Sequence, residues 1–168
     1  VVVILSAMAG VTDSIIQLAH QVAPLPDKRE LDVLLATGEQ TTAALLAMML
    51  KEMNYPAQSL LGFQVKVLTD DRFGNARIRD IGGGPIPELL RRRNIVVVAG
   101  FQGSDDNGNI TTLGRGGSDT SAVAIASALK ADMCEIYTDV DGIYTADPNI
   151  CQKARKLHTI SYEEMLEM

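Results

Sequence analysis

The chain has 168 residues, 46% hydrophobic and 21% charged, and fifteen basic against twenty-one acidic side chains give a formal net charge of −6. A chain of this size buries roughly 70% of its unfolded surface, so it needs no disulfide or metal staple, and the acidic balance excludes a general nucleic-acid binder. A mean hydropathy of +0.10 with scattered charge excludes a mostly disordered chain, and no unbroken apolar run approaches the ~18 residues of a membrane helix.

Val1-Val2-Val3-Ile4-Leu5 is a continuous aliphatic run and reads as a buried strand; without an initiator Met or a basic flank it is not expected to be a signal peptide. Ser6 to Ser14 is a small-residue turn with helix-capping types at its end, and a helix follows to about Val22. Pro24 and Pro26 break the chain. From Thr37 to about Met53, Ala, Leu and Met recur on a helical period, with Thr37 and Gln40 spaced for a capping box. Ala57 to Leu61 reads as a short strand. Residues 64–85 read as loop with short strands, and Gly82-Gly83-Gly84-Pro85 as a flexible linker.

Ile86 to Arg93 reads as a helix whose Arg91-Arg92-Arg93 end complements the helix dipole. Ile95 to Gly100 is a fully buried strand. Asp105-Asp106-Asn107-Gly108-Asn109 is a hairpin turn before Ile110-Thr111-Thr112. Gly114 to Asp119 feeds a helix over roughly Thr120 to Leu129. A strand from Met133 to Thr138, a tight turn at Val140-Asp141-Gly142 and a last helix running to Met168 complete the pattern. Buried strands alternating with helices predict an α/β sandwich with a largely parallel sheet. Cys134 and Cys151 are too few for a disulfide scaffold and, with two histidines, give no metal-ligand spacing, so both are expected as thiols in a reducing compartment.

Ligands of such sheets bind beyond the carboxyl ends of strands. Three stretches carry more glycine and hydroxyl groups than a connector requires. Ser6 to Ser14 suits an anion at a helix start, or else Thr12, Asp13 and Ser14 simply cap that helix. In Thr112-Leu113-Gly114-Arg115-Gly116-Gly117-Ser118-Asp119-Thr120, glycines admit backbone amides close to an anion, and Arg115 offers a planar fork for carboxylate or phosphate. Asp119 stands at the helix entrance, placed to orient a reacting group. The spacing is not that of a Walker A loop. Thr138 to Pro148 fits either a nucleotide contact or an ordinary Asp-Gly turn. Glu39, on pattern alone, merely favours a helix dipole.

At these stretches, together with Thr37-Gly38-Glu39-Gln40 and Gly100-Phe101-Gln102-Gly103, the sequence closely resembles the aspartate kinases of the amino-acid kinase superfamily. Thr112 to Thr120 is the more particular segment, since uridylate kinases carry something similar to Tyr137 to Pro148. The resemblance implies a three-layer α/β/α sandwich of carbamate kinase-like fold. It also implies ATP-dependent phosphorylation of the side-chain carboxylate of L-aspartate, with Mg²⁺, at the entry to lysine, threonine and methionine synthesis. Under it, Glu39 receives the substrate's α-ammonium and Arg115 its α-carboxylate, with Thr12, Phe101, Gly116, Gly117 and Ser118 completing the amino-acid pocket. Ser6 lies near the transferred phosphoryl group, and Asp119 and Arg115 carry catalysis. Thr138, Asp139, Tyr144, Asp147 and Pro148 bind the nucleotide, with Asn149 where the family usually has Arg.

The resemblance further implies a partial catalytic domain, inactive alone, with the family's opening strand before Val1 and its regulatory ACT domains after Met168. A cytoplasmic homo-oligomer in the intact protein is expected, with no nucleic-acid or membrane partner. Two other readings stay open: a superfamily kinase with another acceptor such as uridylate, and a non-catalytic regulatory or binding remnant.

Overall fold

The computed structural model describes residues 1–138, 142, 144–146, 150–151, 153–157 and 159–161. It divides into two compact units, Val1–Cys134 and Glu135–Met168.

The first unit is organised on β5 (Ile95–Ala99), whose Ile-Val-Val-Val-Ala run has no polar position, as a strand covered on both faces requires. β1 (Val2–Leu5) and β2 (Ala57–Leu60) flank it, both parallel to it, with Val97 opposite Val3 on one side and Ser59 on the other. Side chains of a strand alternate between faces, and β5 feeds two separate apolar clusters. Val96 and Val98 pack with Leu60, Val65, Ile86, Leu89 and Ile125. Val97 and Ala99 pack with Ala43 and Ala47. The first cluster is closed by α3 (Gly62–Val65), α4 (Ile86–Arg91) and α5 (Gly117–Ala128), the second by α2 (Lys28–Glu52). Helices on both faces of a parallel sheet make the three layers expected.

The short strands expected within residues 64–85 and at 110–112 join in a second, mixed sheet that local pattern does not show. β3 (Val67–Thr69), β4 (Ile78–Ile81), β6 (Gln102–Ser104) and β7 (Ile110–Thr112) stand in the order β4-β3-β6-β7, with only β3 and β6 parallel. Three- and four-residue strands are too short to show a period. The hairpin turn between β6 and β7 forms as expected: the Asp105 carboxylate accepts the backbone N–H groups of Asn107 and Asn109 and the Asn109 amide at 2.8–2.9 Å.

Several elements depart from expectation. α2 starts at Lys28, not Thr37, because Asp27 caps it, accepting the Glu30 N–H at 3.1 Å. Thr37 sits mid-helix and its hydroxyl donates to the Leu34 carbonyl at 2.6 Å. At 25 residues α2 is long and apolar enough to cross a membrane by length and composition, yet it lies on the sheet with Ala36, Ala43 and Ala47 buried. α1 (Val11–Val22) has Gly10 at its cap, with φ 76 and no side-chain capping bond, so Thr12, Asp13 and Ser14 lie inside the helix and do not cap it. α5 starts at Gly117, three residues before Thr120.

The Gly82–Pro85 stretch is a packed turn rather than a linker. Gly84 has φ 50, and a Cβ there would fall 2.1 Å from the Gln64 carbonyl oxygen. Residues 133–138 form no strand, and Met133, Ile136 and Tyr137 are exposed. A strand persists only where a neighbouring edge takes its backbone groups, and no described residue ladders with this one.

In the second unit Tyr144 and Lys156 form an antiparallel bridge. Thr145 N–H donates to the Arg155 carbonyl at 3.0 Å, and Arg155 N–H to the Thr145 hydroxyl at 3.1 Å. The expected last helix and the turn residues Val140 and Asp141 lie outside the described residues.

Candidate active site

A cavity of about 240 Å³ opens in the first unit beyond the carboxyl ends of β1 and β5. Ser6 and Ala7 reach it from the end of β1, Thr12 from the first turn of α1, and Glu39 from the middle of α2. Phe101 follows β5, and Gly114 and Gly116 to Asp119 lead into α5. The placement is the one open parallel sheets favour for ligands.

Two helices direct their N-terminal turns at this space. The first N–H groups of a helix have no partner inside it, and the dipole makes that end attractive to anions. In α1 these groups include Thr12 and Asp13, and in α5 Ser118 and Asp119. The side chains of Thr12, Ser6 and Ser118 add hydroxyls.

Against this positive lining stands one buried carboxylate. Glu39 is 4% exposed. Its Oε1 accepts the Ala7 backbone N–H at 3.0 Å, while Oε2 is buried with no hydrogen-bond partner among the described residues. Burial pushes the Glu39 carboxyl above the usual carboxylate range, and the Ala7 N–H only partly offsets it. An unmatched buried acceptor of this kind is what an incoming cationic group would satisfy. Gly38 makes the approach possible: a Cβ there would lie 2.9 Å from the Ala7 Cβ, so any larger residue would push α2 off the Ser6–Ala7 turn.

Phe101 closes another wall with φ 64, a left-handed conformation that costs a non-glycine residue ~1–2 kcal/mol. Gly117 packs under its ring, where a Cβ would lie 2.6 Å from Cδ2. At Gly38 and Gly117 alike, the space a Cβ would take is already filled.

The whole chain, residues 1–168, matches the model of the amino acid kinase family. The chain belongs to that family. It is 56% identical over 168 residues to the aspartokinase of Bacillus sp. (strain MGA3), covering all of this chain and 41% of that protein. The aspartate kinase of Synechocystis superposes with a TM-score of 0.78 at 50% identity, covering 99% of this chain and 27% of that one. Aspartokinase III of E. coli, solved in complex with aspartate and ADP, gives a TM-score of 0.71 at 37% identity over 86% of this chain and 33% of that one. The chain thus spans less than half the length of these relatives.

Within this family member, the structure brings together Ser6, Thr12, Glu39, Phe101, Gly116, Gly117, Ser118 and Asp119. Arg115 sits between the lining glycines, exposed on the rim, and its side chain does not line the cavity. Thr138 and Tyr144 belong to the second unit, Thr138 exposed and Tyr144 half-buried. Asp139, Asp147, Pro148 and Asn149 lie outside the described residues. Sequence reasoning missed the Ala7 N–H that anchors Glu39. Local pattern alone read Glu39 as a helix-start charge, because the capping box misplaced the start of α2 by nine residues, and only the resemblance placed it in the site. Two buried polar groups behind the site, Asp32 and Ser121, gave no sequence signal beyond being ordinary helix residues.

Proposed function

We propose that this chain is part of an aspartate kinase, which transfers the γ-phosphoryl group of ATP to the side-chain carboxylate of L-aspartate and forms 4-phospho-L-aspartate. The observation that carries the reading is the pairing of a buried, half-satisfied Glu39 with two anion-seeking helix starts in one small cavity. Aspartate has one ammonium and two carboxylates, and a site of this polarity orients all three. The similarity to aspartokinases and to a complex holding aspartate and ADP supports the same substrates here.

Glu39 Oε2 takes the α-ammonium. Arg115 swings in from the rim to fork the α-carboxylate, while Thr12, Phe101 and Gly116 to Ser118 shape the pocket. The side-chain carboxylate, ionised at neutral pH, needs no general base. Its oxygen attacks the γ-phosphorus, the new O–P bond forms, and the bond to the bridging oxygen breaks with its electron pair leaving on ADP. Ser6 and Asp119 orient the transferring group, and catalysis consists mainly of in-line positioning and charge neutralisation.

Among the described residues no three His, Cys, Asp or Glu side chains converge on a metal position. The cavity offers the Asp119 carboxylate and the Ser6 and Ser118 hydroxyls, a donor set suited to Mg²⁺ carried largely by phosphate oxygens and water. When bound, Mg²⁺ supplies charge neutralisation at the phosphates. Thr138, Asp139, Tyr144, Asp147 and Pro148 are assigned to the nucleotide. A cytoplasmic homo-oligomer of which residues 1–168 form part of the catalytic domain completes the proposal.

The test is coupled-assay turnover with Mg-ATP and L-aspartate, using the chain within its native flanking sequence and a panel of acceptors that includes uridylate. Aspartate-dependent ADP release is the expected result; turnover only with another acceptor, or none with aspartate bound, overturns it. Arg115→Ala is expected to lower kcat/KM for aspartate on the order of 100- to 1,000-fold, the scale of a lost charge contact at ~3–4 kcal/mol. ATP affinity should hold. Equal losses for both ligands would remove Arg115 from the aspartate pocket.

A further inference from the structure

Two segments that wall the cavity come from different elements: Phe101 from the end of β5, and Gly116 to Asp119 from the start of α5. A single buried hydroxyl ties them together. Ser121, 1% exposed and one turn into α5, donates to the Gly117 carbonyl at 2.8 Å and accepts the Phe101 backbone N–H at 3.0 Å. A helical serine bonded to the carbonyl four residues back is ordinary. An oxygen that at the same time accepts a backbone N–H from another element is not, and a hydroxyl is the group that can do both.

Phe101 has reason to be held. Its φ of 64 is a conformation that a non-glycine residue leaves unless its neighbours fix it. The Leu113 N–H holds its carbonyl at 2.9 Å, and Ser121 holds its N–H. Gly117, the other partner of Ser121, lies directly beneath the Phe101 ring. Ser121 itself does not line the cavity.

We propose that Ser121 is a positioning residue of the amino-acid pocket: its hydroxyl fixes Phe101 in the left-handed conformation against the first turn of α5, and through that sets the affinity for aspartate. The inference rests on the aspartate-kinase reading. Without the hydroxyl, the Phe101 N–H loses its acceptor, the residue relaxes toward the right-handed region, and the wall formed by Phe101 and Gly117 loosens. No residue assigned to the nucleotide takes part in this bridge, so the effect falls on one substrate.

The experiment compares Ser121→Ala and Ser121→Thr with the unaltered chain, each within its native flanking sequence, reading aspartate Kd by calorimetry, KM for both substrates, and Tm. Ser121→Ala is expected to raise Kd and KM for aspartate about 5- to 20-fold with KM for ATP within twofold. Ser121→Thr, which keeps the hydroxyl, should restore aspartate affinity to within about threefold. Ser121→Cys, of similar shape and with a weaker acceptor, gives the same reading should the alanine variant not fold. A fall in Tm with KM for aspartate unchanged, or parallel losses for both substrates, overturns the inference and leaves Ser121 a structural residue. Failure of the unaltered chain to bind aspartate would instead overturn the underlying functional reading.

Discussion

Glu39 places a carboxyl where the described residues give it too few partners. Burial raises its carboxyl above the usual range, so the folded chain keeps this proton to a higher pH than the unfolded chain does. The sign follows: as pH falls from neutral through the raised value, protonation of Glu39 stabilises the fold, while a ligand ammonium loses the carboxylate it needs. Under the proposed function, stability and aspartate affinity should therefore move in opposite directions over that window. The kcat/KM for aspartate should carry an acid limb above the ordinary carboxylate range. Glu39→Gln should abolish that limb, weaken aspartate binding, and leave Tm at pH 7 equal to or higher than before. A pH–rate profile with matched thermal melts decides it; an unchanged limb in the glutamine variant would assign it to another group.

At the scale of elements, the site depends on how α2 is pinned to the mixed sheet. Asp32 is fully buried, and its carboxylate accepts three donors: Gly74 N–H at 3.0 Å, Thr112 N–H at 2.8 Å and the Thr112 hydroxyl at 2.8 Å. The Gly74–Asn75 turn in turn lies against Gly114, where a Cβ would come 2.7 Å from Asn75 Oδ1. One carboxylate thus fixes α2, β7 and the backing of the glycine loop. Asp32→Ala leaves three buried donors without an acceptor and should cost about 3–5 kcal/mol in urea unfolding. Asp32→Asn should lose less than half of that, because its amide oxygen can keep the two N–H groups and its NH₂ can donate to Thr112. Comparable losses in the two variants would mean that the charge, not the bonding pattern, is what matters.

The same region explains what the sequence could and could not reveal. The strand at 95–99, the helix at 86–91 and the hairpin at 105–109 were legible, because continuous β-branched runs and Asp-Asn-Gly turns have local causes. The start of α2 was not, since Asp27 competes as a cap with the more familiar Thr37–Gln40 spacing, and only the packing of Asp32 and Ala36 decides between them. Residues 133–138 carry strand-forming types such as Ile136, Tyr137 and Thr138, but pairing is a property of two segments. Glycines and hydroxyls clustered after strands marked two stretches, Ser6 to Ser14 and Thr112 to Thr120, whose residues line the cavity. The burial of Glu39 was not legible in local pattern, since it arises from α2 crossing the sheet beside Ala7; only the resemblance singled the residue out.

At the scale of the first unit, β5 is the element shared by both apolar clusters. Val97 faces Ala43 and Ala47 of α2, while Val96 and Val98 face Ile86, Leu89 and Ile125 of α4 and α5. Loss of either layer exposes the β5 face it covered and leaves the strand without half of its packing, so residues 1–134 should unfold as one cooperative unit. Val97→Ala removes two buried methyl groups on the α2 side and should cost about 2 kcal/mol, from lost transfer energy and the cavity left behind. If β5 couples the layers, hydrogen exchange near the global limit should accelerate in α4 and α5 by the same factor as in α2, roughly 30-fold at 1.4 kcal/mol per decade. Acceleration confined to α2 would mean that the two faces open separately. The cavity, whose walls come from α1, α2, β5 and α5, would then be able to open on one side without loss of the sheet. Uniform acceleration would instead tie the geometry of the site to the stability of the whole unit, so that core substitutions far from Glu39 weaken ligand binding only by lowering the folded population.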